Sequence, residues 1–515
     1  MKNIAKQIVL VLCVALSWDG VKADGLSERL VDTLEFHNEL TATTGGGTYA
    51  PFWMSNNRNG LASIENRSLV WRRALKRDIE NDNNRRWKIG WGIEFSNLFD
   101  TGGTDWIFQE LYADIQYRKV RLSVGQKERG SYMLDSELSS GGLASGTNAR
   151  PIPQVRLELP DFWTIPSTGD WLALRGYLGY GVYTDNKWQR DFAAAGEKIY
   201  SRNSLYHTKA GFLRVGNTKK FPLVVIGGLE MNTQFGGTAF NVKRRADDVS
   251  GFNGGTVDMG FNIKDFWNVL IPGGSDMTDG AYSNRAGNTV GAWHLSVGVE
   301  GKDLGSSKDW SARIYAQHLF EDESQMFWQY GWRDFLIGTE IELPNNPIVS
   351  KVVYEYLATK DQSGPIYHDK TTQISDQISA ADNYYNHAIY GAWQHAGYGL
   401  GNALLISPIY NADGSISFKH NRVVAHHVGL RGQPMRELSY KVLFSYEKSW
   451  GTYSKPLVDP LEGWTVYTQA VYSPTWLKNC SVGMAYGHNG GKLLGNSNGL
   501  EMSFYYNLKF HTKKQ

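Results

Sequence analysis

Two acidic residues in this sequence have a spacing that could support hydrolysis of a glycosidic bond. Glu340 and Glu342 lie two positions apart in FLIGTEIEL, a stretch with the alternating polarity of a β-strand. At a strand rise of ~3.3 Å per residue they are about 6.6 Å apart, within the ~5–9.5 Å separations of the two glycosidase mechanisms. Glu110 and Asp114, about 13 Å apart by the same rise, are too distant. Ion pairing on a polar strand face is the simpler interpretation of the closer pair.

Other motifs that resemble reactive sites lack an essential part. His426 and His427 are adjacent in AHHVGL, and neighbours on a strand point to opposite faces, so the two are not expected to share a metal ion. The glycine clusters at 176–181 and 397–402 lack the Lys and Ser/Thr that follow a phosphate-binding loop. Cys480 has no visible catalytic partner. We therefore expect no metal, no cofactor and no enzymatic activity.

Two polar-aromatic clusters have the composition of a glycan-binding surface. They are EDESQMFWQYGW, which begins at Glu321, and DNYYNHAIYGAWQHAGYGLGN, which begins at Asp382. Aromatic rings stack on the C–H faces of sugars, while amide and imidazole groups bond the hydroxyls. Packing within loops and a membrane-interface belt are the alternative explanations. The candidate glycan-binding residues are Trp328, Tyr330, Trp332, Trp393, His395 and Asn402.

The elements that must position these residues alternate between apolar and polar side chains. In QELYADIQYRKVRLSVG the polar side carries Glu110, Asp114, Arg118 and Arg121. Roughly sixteen to eighteen such segments of about ten residues follow one another along the chain, and ten residues is the length that a tilted strand needs to cross a membrane. The composition agrees with many short strands, because aromatic residues make up 13% and there are 56 glycines at a mean hydropathy of −0.40.

The connections between these segments differ greatly in length. Arg118 and Lys119 form a predicted two-residue turn, whereas residues 126–170 and 359–419 are predicted to be long insertions. Helical patterns are confined to residues 190–201 and 371–385. Short turns at one end and long loops at the other are typical of outer-membrane barrels.

The number of alternating segments favours a closed barrel over a soluble sandwich, which would need central strands that are apolar on both sides. A barrel turns every polar side to its lumen and every apolar side to lipid, and closure pairs each backbone amide. A Lys or Arg on the lipid side costs roughly 2–4 kcal/mol near the midplane, so the apolar stripes are expected to lack charge. Aromatic residues expected at strand ends, namely Trp87, Trp171, Trp293 and Trp310, and Phe510 near the C-terminus, suit interfacial girdles. The predicted fold class is an all-β transmembrane antiparallel β-barrel of about 18 strands, with short turns on one side and long loops with a few short helices on the other.

The N-terminus has the layout of a secretory signal peptide. Lys2 and Lys6 precede an apolar run at 8–16, and Ala23 is a suitable cleavage position. We expect residues 1–23 to be the signal and residues 24–515 to form a single barrel domain. The chain has 53 basic and 51 acidic residues, so it lacks the basic excess of a nucleic-acid-binding protein. One cysteine beyond the signal excludes a disulfide framework.

Several stretches together resemble the Wzi-type capsule assembly family of Gram-negative outer-membrane proteins. They are QELYADIQYRKVRLSVGQKE, SSGGLASGTNARPIPQVRLELPDF, YAQHLFEDES, YYNHAIYGAWQHAGYGLGN, NRVVAHHVGLRG and SWGTY, and they cover the chain from about residue 45 to its end. The resemblance implies an eighteen-stranded barrel in the outer membrane whose outer face binds exported capsular polysaccharide without catalysis. It assigns no individual sugar-binding residue.

Three functions are therefore considered. The first is a barrel that anchors capsular polysaccharide at the cell surface, in contact with outer-membrane lipid and with the capsule export machinery as a further candidate partner. The second is a porin-type channel for small solutes, because inward charges could line water. The third is a surface glycan hydrolase built around Glu340 and Glu342.

Overall fold

Eighteen antiparallel strands form a closed barrel. The computed structural model describes residues 30–82, 85–194, 196–243, 254–260, 262–270, 287–300, 310–321, 333–368 and 377–511, with backbone alone for residues 363–381. Each strand pairs with its neighbours in sequence, and the first strand also pairs with the last, from Thr33↔His511 to Gly47↔Ser497. The wall strands are β1 Thr33–Gly47, β2 Arg67–Arg77, β3 Trp87–Asp100, β4 Gly103–Tyr117, β5 Val120–Gln126, β6 Gln154–Thr164, β7 Leu172–Val182, β8 Leu205–Val215, β9 Leu223–Phe235, β10 Asn288–Glu300, β11 Ser311–Glu321, β12 Phe335–Glu342, β13 Lys351–Ala358, β14 Val423–Met435, β15 Leu438–Gly451, β16 Pro456–Tyr472, β17 Cys480–Gly491 and β18 Ser497–His511.

Shorter elements lie between the wall strands. Among the described residues, no helix is long and apolar enough to span a bilayer. The helices are α1 Phe52–Ser55, α2 Asn186–Ala194 and α3 Ile263–Leu270, with 3-10 turns at Ile79–Asp82 and Pro408–Tyr410. The additional strands are Tyr200–Arg202, Thr238–Val242, Gly255–Asp258, Ser363–His368, Gln377–Ala381, Asn386–His387, Gly391–Ala392, Gln394–His395 and Tyr398–Gly399.

The two ends of the barrel differ in the length of their connections, which confirms the predicted asymmetry. At the end that holds Thr33 and His511, all turns are short, and Tyr117 pairs with Val120 across the predicted Arg118–Lys119 turn. We call the opposite end the loop end. Its long connections are residues 48–66, 127–153, 183–204, 236–287, 322–334 and 359–422.

Alternating side chains divide between the outer wall and the lumen, as β18 shows. Leu500, Met502 and Phe504 are 41–58% exposed on the outside, whereas Glu501 and Ser503 between them are buried. Outward leucine, isoleucine and valine side chains on β3, β6, β8, β10, β11 and β12 are exposed in the same way. Such a continuous apolar belt would be unfavourable against water and suits a hydrocarbon surrounding.

Two basic residues correct the expectation that the outer face lacks charge. The Arg73 guanidinium lies over the Trp71 and Phe95 rings, at 4.0 and 4.9 Å from their centroids, and donates to Asn97. On β8, the Lys209 ammonium donates to the last carbonyls of α3, which places that helix against the outer wall. Each charge is therefore shielded by protein groups and not presented bare to lipid.

Some predicted element boundaries are wrong. The pattern does not predict β1, and it assigns β6 to a long insertion. The predicted helix at 371–385 contains instead the strand Gln377–Ala381, paired with residues 363–368, while 371–376 lie outside the described residues. The predicted helix at 190–201 begins and ends earlier, as α2. The signal peptide prediction also falls on residues that the structure does not describe.

Candidate functional site

The lumen is filled by two of the barrel's own loops. One connects β5 to β6 (residues 127–153) and the other connects β13 to β14 (residues 359–422). Their side chains form a core together with inward-facing wall residues, and Leu143, Tyr385 and Trp393 have no exposed surface. We call the inserted parts, residues 127–153 and 382–422, the plug. The plug therefore packs against the inner wall through a shared core.

Glu355 on β13 holds the first plug loop. Its carboxylate accepts hydrogen bonds from the Ser139 hydroxyl at 2.6 Å, from the Ser140 amide at 2.8 Å and from the Ser140 hydroxyl at 2.6 Å. The Tyr315 phenol of β11 donates to the same group at 2.7 Å. A buried carboxylate must have its hydrogen-bonding capacity used, and here two serines of the SSGG motif supply most of the donors.

Glu230 on β9 makes a second attachment of the same kind. It accepts from the Ser145 hydroxyl at 2.6 Å and from the Tyr177 phenol at 2.7 Å, and the His294 ring lies 3.4 Å away. Glu230 is 2% exposed. Glu230 and Glu355 thus fix the segment 139–145 to the wall at two places.

A third attachment joins the plug to the wall through His427. Because the Leu138 carbonyl can only accept, the ring Nε2–H donates to it at 2.8 Å, and Nδ1 then accepts from Ser445 at 2.7 Å. The Trp53 indole of α1 donates to the same Ser445 oxygen at 3.1 Å. His426 is exposed on the other face and bonds Tyr354. The prediction that these adjacent histidines face apart is confirmed.

Asp334, just before β12, attaches the second plug loop. It is buried and accepts from the Asp361 amide and the Tyr384 phenol, each at 3.0 Å, and from the Gln362 amide. Burial raises the pKa of Asp334 to about 6, although these donors oppose the rise.

Three of the predicted glycan-binding residues lie inside the plug. Trp393 donates to the Ala144 carbonyl at 3.2 Å, and Asn402 donates to Ser140 at 3.0 Å. His395 bonds the Arg150 carbonyl at 2.9 Å, and burial lowers the pKa of its imidazole. The structure brings these three together, but their polar atoms already bond the chain, which favours a structural role. Trp328, Tyr330 and Trp332 lie outside the described residues, so glycan binding by all six stays a prediction.

The carboxylate pair proposed for hydrolysis is engaged in ion pairs. Glu340 accepts from Arg313 at 2.6 Å and from Lys351 at 2.9 Å. Glu342 is more exposed and lies 3.9 Å from the same lysine. Among the described residues, no group of three or more His, Cys, Asp or Glu side chains is arranged to hold a metal ion.

A cation-aromatic cluster is exposed at the loop end. The Lys360 ammonium lies 4.6 Å above the Trp450 ring, and the Arg422 guanidinium lies 4.0 Å above the Tyr453 ring. Tyr453 is 41% exposed and donates to the Asp361 carbonyl at 2.8 Å. Rings and cationic donors placed side by side can bind the C–H faces and the oxygen atoms of a sugar.

Sequence reasoning did not single out Glu230 or Glu355, the main attachments of the plug. Both lie on segments predicted as strands, at inward positions. The sequence does contain a signal for these attachments. An isolated inward-facing acid needs hydrogen-bond donors, and Ser139 and Ser140 together offer three such donors to Glu355.

The apolar outer belt and the filled polar lumen define a barrel of the outer-membrane type. The chain is similar in structure to Wzi of Escherichia coli, described as an outer membrane protein involved in group 1 capsule assembly and a carbohydrate-binding β-barrel, with a TM-score of 0.51 and 14% identity over 95% of this chain and 86% of that one. Two Pseudomonas aeruginosa outer membrane proteins also align. They are OpdK (TM-score 0.45, 8% identity, 93% and 98% coverage) and OprD (TM-score 0.43, 9% identity, 94% and 95% coverage). No family model and none of the curated proteins matches the chain.

Proposed function

We propose that this protein is an outer-membrane anchor that holds capsular polysaccharide at the cell surface, without catalysis and without conducting solutes. The packed plug carries this proposal, because a channel for small solutes needs a water-filled path, and the buried side chains of Leu143, Tyr385 and Trp393 occupy part of the lumen. Glu340 is engaged by Arg313 and Lys351, which supports a structural role for this carboxylate over a hydrolytic one.

The loop end supplies the surface that an anchor needs. Arg422, Trp450 and Tyr453 lie together on it, and Tyr453 is accessible. The similarity to Wzi, a carbohydrate-binding barrel, supports the same class of ligand for a shared fold. This similarity concerns the fold and the class of ligand, and it assigns no particular sugar.

Deletion of the gene in an encapsulated host tests the proposal. Cell-associated and released polysaccharide are measured after complementation with the wild type, with Tyr453→Ala, or with Tyr472→Ala as a matched exposed tyrosine from the opposite end of the barrel. We expect the deletion and Tyr453→Ala to release polysaccharide, and the wild type and Tyr472→Ala to retain it. Equal retention by the deletion strain and the complemented strains would refute an anchoring role.

A channel is the second candidate, and one observation favours it. A cavity of about 320 Å³ lies against the inner wall and is lined by Glu39, Arg58, Arg72, Lys441 and Glu501, among other residues. Planar-bilayer recording of the full chain separates the two functions. An occluded barrel gives no steady current, whereas a constant open conductance would favour the channel.

A further inference from the structure

A second lumen cavity is lined by an unusual number of basic side chains. Its volume is about 80 Å³, and Lys127, Arg129, Arg150 and Arg156 all border it. Tyr132, Tyr177 and Tyr206 form the aromatic part of its lining. The cavity lies between the first plug loop and the wall strands β6 to β9.

Among the residues that the structure describes, two of these four cations have a carboxylate partner in hydrogen-bonding range. Lys127 pairs with Asp114 at 2.5 Å, and Arg156 pairs with Glu158 at 3.0 Å. Glu230 also borders the cavity, but it accepts from Ser145 and Tyr177.

Within the described part of the chain, the acceptors that Arg129 and Arg150 bond are neutral. Arg129 donates to the Ser123 hydroxyl at 2.9 Å and to the Lys127 carbonyl at 3.1 Å, while Arg150 donates through Nε to the Gly60 carbonyl at 3.1 Å. Burial, followed by the neighbouring Arg156, lowers the pKa of Arg129 to about 10. Counted with Asp114, Glu158 and Glu230, the four cations leave one positive charge in excess, which an anion would neutralise.

We propose that this cavity binds the carboxylate of an acidic sugar residue. A guanidinium presents paired N–H donors that match a carboxylate, and tyrosine rings can contact the adjoining sugar ring. About 80 Å³ admits a carboxylate with the ring atom that carries it, whereas a disaccharide is too large. This assignment rests on the proposed glycan function and names the chemical class of the glycan.

Binding of a defined probe to the full chain in detergent tests the assignment. The probe is a hyaluronan hexasaccharide, compared with the same oligosaccharide after its carboxylates are reduced to alcohols. We expect Arg129→Gln and Arg150→Gln each to weaken binding of the acidic probe by about 10- to 100-fold, the range for loss of a hydrogen bond to a charged group. Arg150→Lys should retain part of the affinity.

Arg313→Gln is the matched control, because Arg313 pairs with Glu340 and does not border this cavity. Heat-modifiable gel migration confirms that each variant is folded. Equal binding of acidic and reduced probes, or an equal loss in Arg313→Gln, overturns the carboxylate site and leaves the anchoring role intact. Failure of the anchoring role appears separately, as unchanged capsule retention in the deletion strain.

Discussion

Loss of the Glu355 carboxylate should loosen the plug without unfolding the barrel. Glu355→Ala leaves the Ser139 and Ser140 hydroxyls, the Ser140 amide and the Tyr315 phenol without their acceptor. Each hydrogen bond to a charged acceptor contributes about 1.5–3 kcal/mol. The four do not add, because the substitution also removes a buried charge and the hydroxyls can bond water. A buried donor left without its acceptor costs about 1–3 kcal/mol, so a total of about 3–5 kcal/mol is expected for the four groups together.

This free energy acts on local opening of the plug, because the wall strands retain their own ladders. Since about 1.4 kcal/mol changes an equilibrium tenfold, a cost of about 3–5 kcal/mol should raise the open population about 100- to 4000-fold. Hydrogen exchange of peptides that cover residues 136–146, followed by mass spectrometry in detergent, measures this opening directly. We expect faster exchange there by that factor, and unchanged exchange in β16 to β18.

Glu342→Gln is the control, because Glu342 is exposed and lies 3.9 Å from its nearest cation. It should leave exchange in residues 136–146 unaltered. The reasoning is refuted if Glu355→Ala behaves like this control. It is also refuted if exchange rises equally in every strand, since the carboxylate would then stabilise the barrel as a whole.

Three further perturbations test other contacts. Gly338→Ala places a Cβ against the Tyr315 ring and should destabilise the Glu355 attachment by about 1–3 kcal/mol. Hydrogen exchange at residues 136–146 should then be faster. Gly227→Ala, which has open space around its Cβ, should leave that exchange unchanged. The folded-state pKa of Asp334 is raised to about 6, so its contribution to plug stability is fully present below an unfolded pKa of about 3.9 and is lost as pH rises through 6. Proteolysis at residues 382–387 should therefore be slower at pH 4.5 than at pH 7.5. Asp334→Asn should flatten this pH profile, and a variant that keeps it would contradict the reasoning. Lys209→Met removes the donor to the Val269 and Leu270 carbonyls, so α3 should detach and Trp267 fluorescence should shift, while Lys264→Met should leave it unchanged.

The strands were predictable because a period of two places every second side chain in one environment. The exceptions have physical causes. In β1, the polar residues His37, Asn38 and Glu39 occupy both faces, and Asn38 accepts from the Trp71 indole on the outside. In β6, Pro160 lies where the pairing register shifts between Leu159 and Trp163, so the alternation is interrupted.

The plug could not be predicted from local pattern. Ser139 and Glu355 are 216 positions apart in the chain, and no periodicity records that they meet. The aromatic residues of the second loop, such as Trp393, were predicted to bind glycan, with packing within the loop as an alternative. Composition alone does not distinguish a ring buried in a lumen from one presented to a sugar. The segment at 377–381 pairs as a strand although its sequence pattern is helical, because pairing with another segment outweighs a weak helix propensity.

Each inserted segment leaves one wall strand and returns to the next, so both of its ends are covalently continuous with neighbouring strands at the loop end. The plug contacts at Glu230, Glu355 and His427 reach β9, β13 and β14, and the Phe52 amide of α1 bonds Asn489 on β17. These contacts cross-link the wall through the lumen, so the barrel is expected to resist flattening under lateral pressure from the bilayer. A load applied at the loop end is then expected to be distributed over several wall strands instead of one hairpin.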